Sequence, residues 1–211
     1  LWVTDVGGAS PSPQGNESFA TSPEWSPDGN MLAFLSDREK DGERQIWMMA
    51  SDGGEAWQLT SHKGGITAFR FSPDSKQLVF VATDQPSKDE EERKKVKDDV
   101  KMAHLWLFNI EKKEEKRITQ GDFTVSDLQW SPDGTRVSYT TRPTPKADDG
   151  SLADVWVLNI ATGEKKRIED TPASSDNARW SPDGKWIAYT GSTDPYGGVS
   201  TSYLYLIRST G

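Results

Sequence analysis

The chain has 211 residues, 33% of them hydrophobic, and a formal net charge of −8. A polyanion-binding surface needs clustered Lys and Arg, and no apolar run reaches the roughly 18 residues of a membrane span, so neither nucleic acid nor a membrane is expected as a partner. The absence of Cys removes disulfides, thiolate metal sites and a Cys nucleophile together, and it leaves a cytoplasmic or a periplasmic setting equally open.

Nine Trp, seven Phe and five Tyr must supply much of the buried area of what the length suggests is one domain. From the N-terminus, Leu1-Trp2-Val3 reads as a short apolar strand, the third of a partial blade. The first strong signal is Trp25-Ser26-Pro27-Asp28-Gly29, and it returns as Phe71-Ser72-Pro73-Asp74-Ser75, Trp130-Ser131-Pro132-Asp133-Gly134 and Trp180-Ser181-Pro182-Asp183-Gly184. The spacings are 46, 59 and 50 residues, which fits the roughly 40 to 50 residues of one β-propeller blade once loop insertions are allowed.

Each motif is a tight turn by its own chemistry: Ser suits the first position, Pro presets φ at the second, and Asp and Gly suit the last two. After each turn comes a second strand, marked by Leu32-Ala33-Phe34, Leu78-Val79-Phe80, Val137-Ser138-Tyr139 and Ile187-Ala188-Tyr189. Third strands follow at Ile46-Trp47-Met48, Leu105-Trp106-Leu107, Val155-Trp156-Val157 and Leu204-Tyr205-Leu206. Their unbroken apolar character suits burial between neighbouring blades. Fourth strands are expected to end at Gln58-Leu59-Thr60, Arg117-Ile118-Thr119 and Arg167-Ile168-Glu169.

This phase gives an all-β chain: an incomplete β-propeller arc of four-stranded antiparallel blades over residues 1–211, with three full blades and a partial blade at either end. The turns lie at 25–29, 71–75, 130–134 and 180–184. Open blade edges present unpaired backbone groups, so missing blades of the same polypeptide, or self-association, are expected to cover them.

The long second spacing holds a charged insertion over 84–103. Ser87 with Glu90 makes a capping box, Glu90 precedes Lys94 and Glu91 precedes Lys95 at i,i+4, and Val96 with Val100 forms a thin apolar stripe, so a helix is expected there. Such a charge run is ordinarily a solvated face. As a functional element it would border a substrate path at the propeller rim.

Catalytic signals are thin. An α/β-hydrolase nucleophile needs Gly-x-Ser-x-Gly on a strained strand-to-helix turn, and that string does not occur in the chain. His62 and His104 are isolated and are read as structural or solvent-facing. The repeated aspartates Asp28, Asp74, Asp133 and Asp183 supply one carboxylate per turn, too few for calcium, which wants six or more oxygens. No catalytic residue, cofactor or metal ligand is therefore assigned. Trp25, Phe71, Trp130 and Trp180 are expected to pack between blades, and Trp186 is the better candidate for an exposed ring.

The aromatic-Ser-Pro-Asp-Gly turn followed by Leu-Ala-Phe or Ile-Ala-Tyr resembles the propeller repeat of the prolyl oligopeptidase family of serine peptidases. The insertion and the stretch Asp194-Pro195-Tyr196-Gly197-Gly198 look like its acylaminoacyl-peptidase and dipeptidyl-peptidase branch. The resemblance implies a non-catalytic propeller that caps an α/β-hydrolase domain of the same polypeptide and admits short peptide substrates. It places Glu90, Glu91, Trp186 and Tyr196 along the rim of the substrate path. Paired Glu residues on a propeller-borne helix hold the substrate amino terminus in some dipeptidyl peptidases, and Glu90 and Glu91 fit that pattern. The same repeat occurs in the periplasmic TolB propeller, so an interaction propeller without chemistry is the alternative.

Overall fold

A computed structural model of the chain describes residues 2–3, 12–13, 20–40, 42–83, 101–168, 174–193 and 201–210. A short antiparallel pair, β1 (Trp2–Val3) with β2 (Ser12–Pro13), comes first. The first blade is β3 (Ala20–Trp25), β4 (Met31–Ser36), β5 (Gln45–Ala50) and β6 (Trp57–Gln58). The second is β7 (Ile66–Phe71), β8 (Gln77–Thr83), β9 (Ala103–Asn109) and β10 (Glu114–Arg117). The third is β11 (Thr124–Trp130), β12 (Arg136–Arg142), β13 (Asp154–Asn159) and β14 (Lys165–Arg167), with a 3₁₀ turn, Ala147–Leu152, between its second and third strands. The fourth has β15 (Ser175–Trp180), β16 (Trp186–Ser192) and β17 (Ser202–Arg208).

Every sheet runs in sequence order with antiparallel neighbours, so the repeat read from the turns is the repeat of the sheets. The first strands of successive blades pack on one another, β3 on β7, β7 on β11 and β11 on β15. They therefore lie innermost, towards a common axis. No strand pairing joins the first and last blades among the described residues, so the blades form an open arc. Of the charged insertion, residues 84–100 lie outside the described residues, and Ala103 already belongs to β9. The fourth strands stop at Gln58, Arg117 and Arg167, two residues before the expected ends. Even so, the N–H groups of Leu59, Ile118 and Ile168 still donate to the third strand, to Ile46, Leu105 and Val155 at 2.8, 2.9 and 3.1 Å.

The core lies between the blades. Period-two alternation sends successive side chains of a strand to opposite faces. On β8, Leu78, Phe80 and Ala82 join Ala33, Leu35, Ile46, Met48 and Phe71 in the first interface. Val79 and Val81 face the other way and meet Val125, Leu128, Trp130, Val137 and Tyr139 in the second. Val155, Val157 and Ile168 meet Ala178, Ile187 and Tyr189 in the third. In the second interface, burial pushes the Tyr139 hydroxyl up to about 12.

The repeated aromatic packs toward the preceding blade, and Trp130 and Phe71 are buried as expected. Trp180 is half-buried; Arg136 lies 4.7 Å above its ring and its Nε1 donates to Ser138 Oγ at 3.0 Å. Trp25 departs from the set. It is 56% exposed.

Each turn is closed by the same two side chains. Ser26, Ser72, Ser131 and Ser181 donate their hydroxyls to Asp28, Asp74, Asp133 and Asp183 at 2.6, 2.6, 2.5 and 2.6 Å. The same serine oxygens accept backbone N–H groups five residues on, at 2.9 Å in each blade. Gly29, Gly134 and Gly184 hold φ of 74°, 68° and 68° at the last position, the left-handed region that glycine enters without a Cβ penalty. Ser75 takes it at 61°. Its hydroxyl accepts the Asp28 N–H of the adjacent turn at 3.1 Å, which ties the first two turns together.

The serine hydroxyls hold all four aspartates below the usual carboxylate range, Asp183 at about 2. A depressed carboxylate contributes stability that is complete above its ordinary value of 3.8 and is lost as pH falls through the folded value. The unfolding midpoint should therefore drop between about pH 5 and about pH 2, and less steeply in an Asp133→Asn/Asp183→Asn variant. Ser131 is fully buried. Replacing it by Ala leaves the Arg136 N–H without its acceptor and should cost about 2 kcal/mol in denaturant unfolding at neutral pH.

Candidate functional site

The concave inner wall of the arc is built by the first strands, and none of them is regular. Their pairing with the second strands shifts register between Thr21 and Glu24, Ile66 and Ala68, Ser126 and Leu128, and Asp176 and Arg179. A bulge of this kind bends a strand and re-aims its side chains. At three of the four bulges the backbone turns left-handed, at Ser22 (φ 54°), Asp127 (41°) and Asn177 (55°). Short polar side chains tolerate that region best, which is why the inner wall is polar there.

Polar clasps cross from blade to blade along this wall. Glu24 Oε1 accepts the Phe71 N–H of the second blade at 3.0 Å, and Oε2 meets Arg70 Nη1 at 3.3 Å. Burial raises the Glu24 carboxyl above its ordinary 4.5, with the Phe71 N–H and Arg70 pulling the other way. Between the second and third blades, Trp130 Nε1 donates to the Arg70 carbonyl at 3.2 Å. Between the third and fourth, Arg179 pairs with Asp127 at 3.0 Å.

At the inner edge of that last interface opens a cleft of about 180 Å3 lined by Ser126, Asp127, Thr140, Arg142, Asp176 and Asn177. Counting from the repeated aromatic, Thr140 holds the place of Leu35 and Val81, which are buried apolar residues in the first two blades. Thr140 thus places a buried hydroxyl at the edge of this interface, where the first two blades carry aliphatic side chains. Aligning the blades would have exposed this substitution. A search for catalytic motifs does not, because Thr140 belongs to none.

Of the residues expected on a substrate path, Trp186 lies on β16, half-buried, with the guanidinium of its cross-strand partner Arg208 4.7 Å above the ring. Glu90, Glu91 and Tyr196 lie outside the described residues. Both histidines are buried. His62 Nδ1 lies 3.1 Å from Glu115 Oε1, and its ring meets Phe80 and Trp106 edge-on. His104 approaches Thr119 Oγ1 at 3.4 Å and Phe123. Each turn aspartate is engaged by a serine hydroxyl and a backbone N–H within its own blade. Among the described residues no three His, Asp or Glu side chains gather around a common point that could hold a metal ion.

The family model described as "Acylaminoacyl-peptidase, N-terminal beta-propeller domain" matches residues 20–202. An uncharacterized peptidase of Bacillus subtilis, YuxL, is 29% identical over 171 residues, which cover 70% of this chain and 26% of that protein. The chain thus spans about a quarter of the curated relative's length. Among solved structures, TolB from Acinetobacter baumannii superposes with a TM-score of 0.66 at 20% identity, over 98% of this chain and 47% of that one. The acylaminoacyl peptidase of Pyrococcus horikoshii gives 0.62 at 18% identity, over 90% of this chain and 31% of that one. These two likenesses show the shared fold, and the family model separates the peptidase propeller from the TolB alternative.

The Glu24 clasp yields a prediction. A carboxyl raised by burial contributes stability that is complete below its ordinary value and declines as pH rises through the folded value. Glu24→Gln keeps an acceptor for the Phe71 N–H, so it should flatten the stability profile above about pH 4.5, whereas Glu24→Ala should cost about 1 to 3 kcal/mol at neutral pH. Thermal melts across pH check both.

Proposed function

Because the chain belongs to the acylaminoacyl-peptidase N-terminal β-propeller family, we propose that it is the substrate-gating, non-catalytic part of a serine peptidase that hydrolyses short peptides. The observation that carries this reading is the family match over residues 20–202 in a chain without a Gly-x-Ser-x-Gly nucleophile turn. The nucleophile, its base and the oxyanion donors would come from an α/β-hydrolase domain of the same polypeptide, together with the blades that complete the ring.

The geometry suits the role. A gate must present a fixed aperture, and aperture is fixed where inner strands are tied to one another. Glu24, Trp130 and the Asp127–Arg179 pair supply such ties. Bulged inner strands leave side chains and backbone groups turned into the opening, where an extended peptide could pass and a folded domain could not.

The test uses the full-length protein that carries this chain. A fluorophosphonate probe should label one serine outside residues 1–211, and the protein should cleave short blocked peptides while leaving folded proteins intact. Absence of both labelling and peptide cleavage would overturn the reading and return the TolB-like interaction role. Equal cleavage of folded proteins would leave a peptidase but remove the gate.

A further inference from the structure

We propose that the polar cleft between the third and fourth blades binds a short peptide by its free termini, the α-carboxylate at Arg142 and Thr140 and the α-ammonium at Asp176. The inference rests on the peptidase reading for its choice of a peptide. Its chemistry is drawn from cleft atoms that have no partner among the described residues: the Thr140 hydroxyl, Arg142 Nε and Asp176 Oδ2.

Donors are in excess at one end of the cleft. Thr140 is 2% exposed, yet its hydroxyl has no hydrogen-bond partner among the described residues. Arg142, two residues on along the same strand and on the same face, has a buried Nε that is also unpartnered, and it forms no ion pair among the described residues. Leaving a buried hydroxyl and a buried guanidinium nitrogen unpaired costs free energy that a native structure ordinarily avoids. A planar guanidinium recognises a carboxylate through two parallel N–H···O bonds.

The facing strand supplies the complementary charge. Asp127 is already committed to Arg179 at 3.0 Å. Asp176 takes the Thr190 hydroxyl on Oδ1, with Asn177 Nδ2 at 3.4 Å from the same oxygen, so its Oδ2 remains available to a cation. The charged groups left for a ligand are thus one guanidinium and one carboxylate oxygen, beside the Thr140 hydroxyl. That pattern matches a zwitterion better than a simple anion, which Asp176 would repel. The cleft volume of about 180 Å3 lies below the roughly 300 Å3 of the smallest drug-sized sites, which limits the ligand to a residue or two.

Alanyl-alanine is the probe, titrated calorimetrically into the full-length protein with its reactive serine blocked by a fluorophosphonate, so that the hydrolase centre does not contribute. Wild type should bind it. Alanyl-alanine amide, which lacks the carboxylate, and acetyl-alanyl-alanine, which lacks the ammonium, should each bind about tenfold more weakly. Arg142→Gln should weaken the dipeptide by a similar factor with an unchanged melting temperature, and Asp176→Asn should erase the difference between the free and acetylated ligands. Should Arg142→Gln fail to fold, Thr140→Val decides, since Val81 holds the same place in the second blade; it should weaken binding several-fold. Undiminished binding in these variants, equal binding of the amide, or no binding by wild type would overturn the proposal. Failure of the probe to label any serine would overturn the peptidase reading alone, because the dipeptide series reads the cleft directly.

Discussion

No blade of this protein can bury both faces of its own sheet, and that constraint governs the rest of the structure. The second strands show it most plainly: β8 gives Phe80 to the interface on one side and Val79 and Val81 to the interface on the other. A β-sheet with two apolar faces is stable only between two neighbours. The three interfaces therefore stand or fall with the spacing of the blades. That spacing is set on the axis side by contacts between first strands and their polar clasps.

The turn motif follows from the same requirement. For adjacent sheets to stack in register, each hairpin between first and second strands must end at the same height and angle. The shared Ser–Asp hydrogen bond and the left-handed fourth position hold each turn in one shape. The turns also abut: a Cβ placed on Gly134 would stand 3.5 Å from Pro73 of the preceding turn, and one on Gly184 3.8 Å from Pro132. Proline and glycine at these positions thus serve the contact between blades as well as the turn itself.

The architecture was legible in the sequence because turn chemistry is local. Four copies of Ser-Pro-Asp give strand order and blade phase without knowledge of any long-range contact, and the continuous apolar third strands announce burial on both sides. What stayed hidden depends on neighbours. Trp25 reads like Trp130, yet it is exposed where Trp130 is buried. The fourth strands read as longer than they are, since Leu59, Ile118 and Ile168 keep a bond to the third strand after the regular ladder has ended. The Asp127–Arg179 pair joins residues 52 apart, and neither belongs to a motif. Thr140 looks like an ordinary strand residue until it is set beside Leu35 and Val81. Membership of the peptidase propeller family was legible only through resemblance, because the turn motif that carries it holds strands together and contains no reactive group.

If the interfaces set the aperture, then loosening one of them should change which substrates pass while leaving the chemistry alone. The direct measurement is kcat/KM of the full-length protein for a short blocked peptide and for a long unfolded polypeptide, in wild type and in Trp130→Ala, which removes a buried ring from the second interface. The account predicts that the ratio of long to short substrate rises in the variant while the short peptide is cleaved at the wild-type rate. An unchanged ratio in a protein that is still folded and still cleaves the short peptide would contradict it.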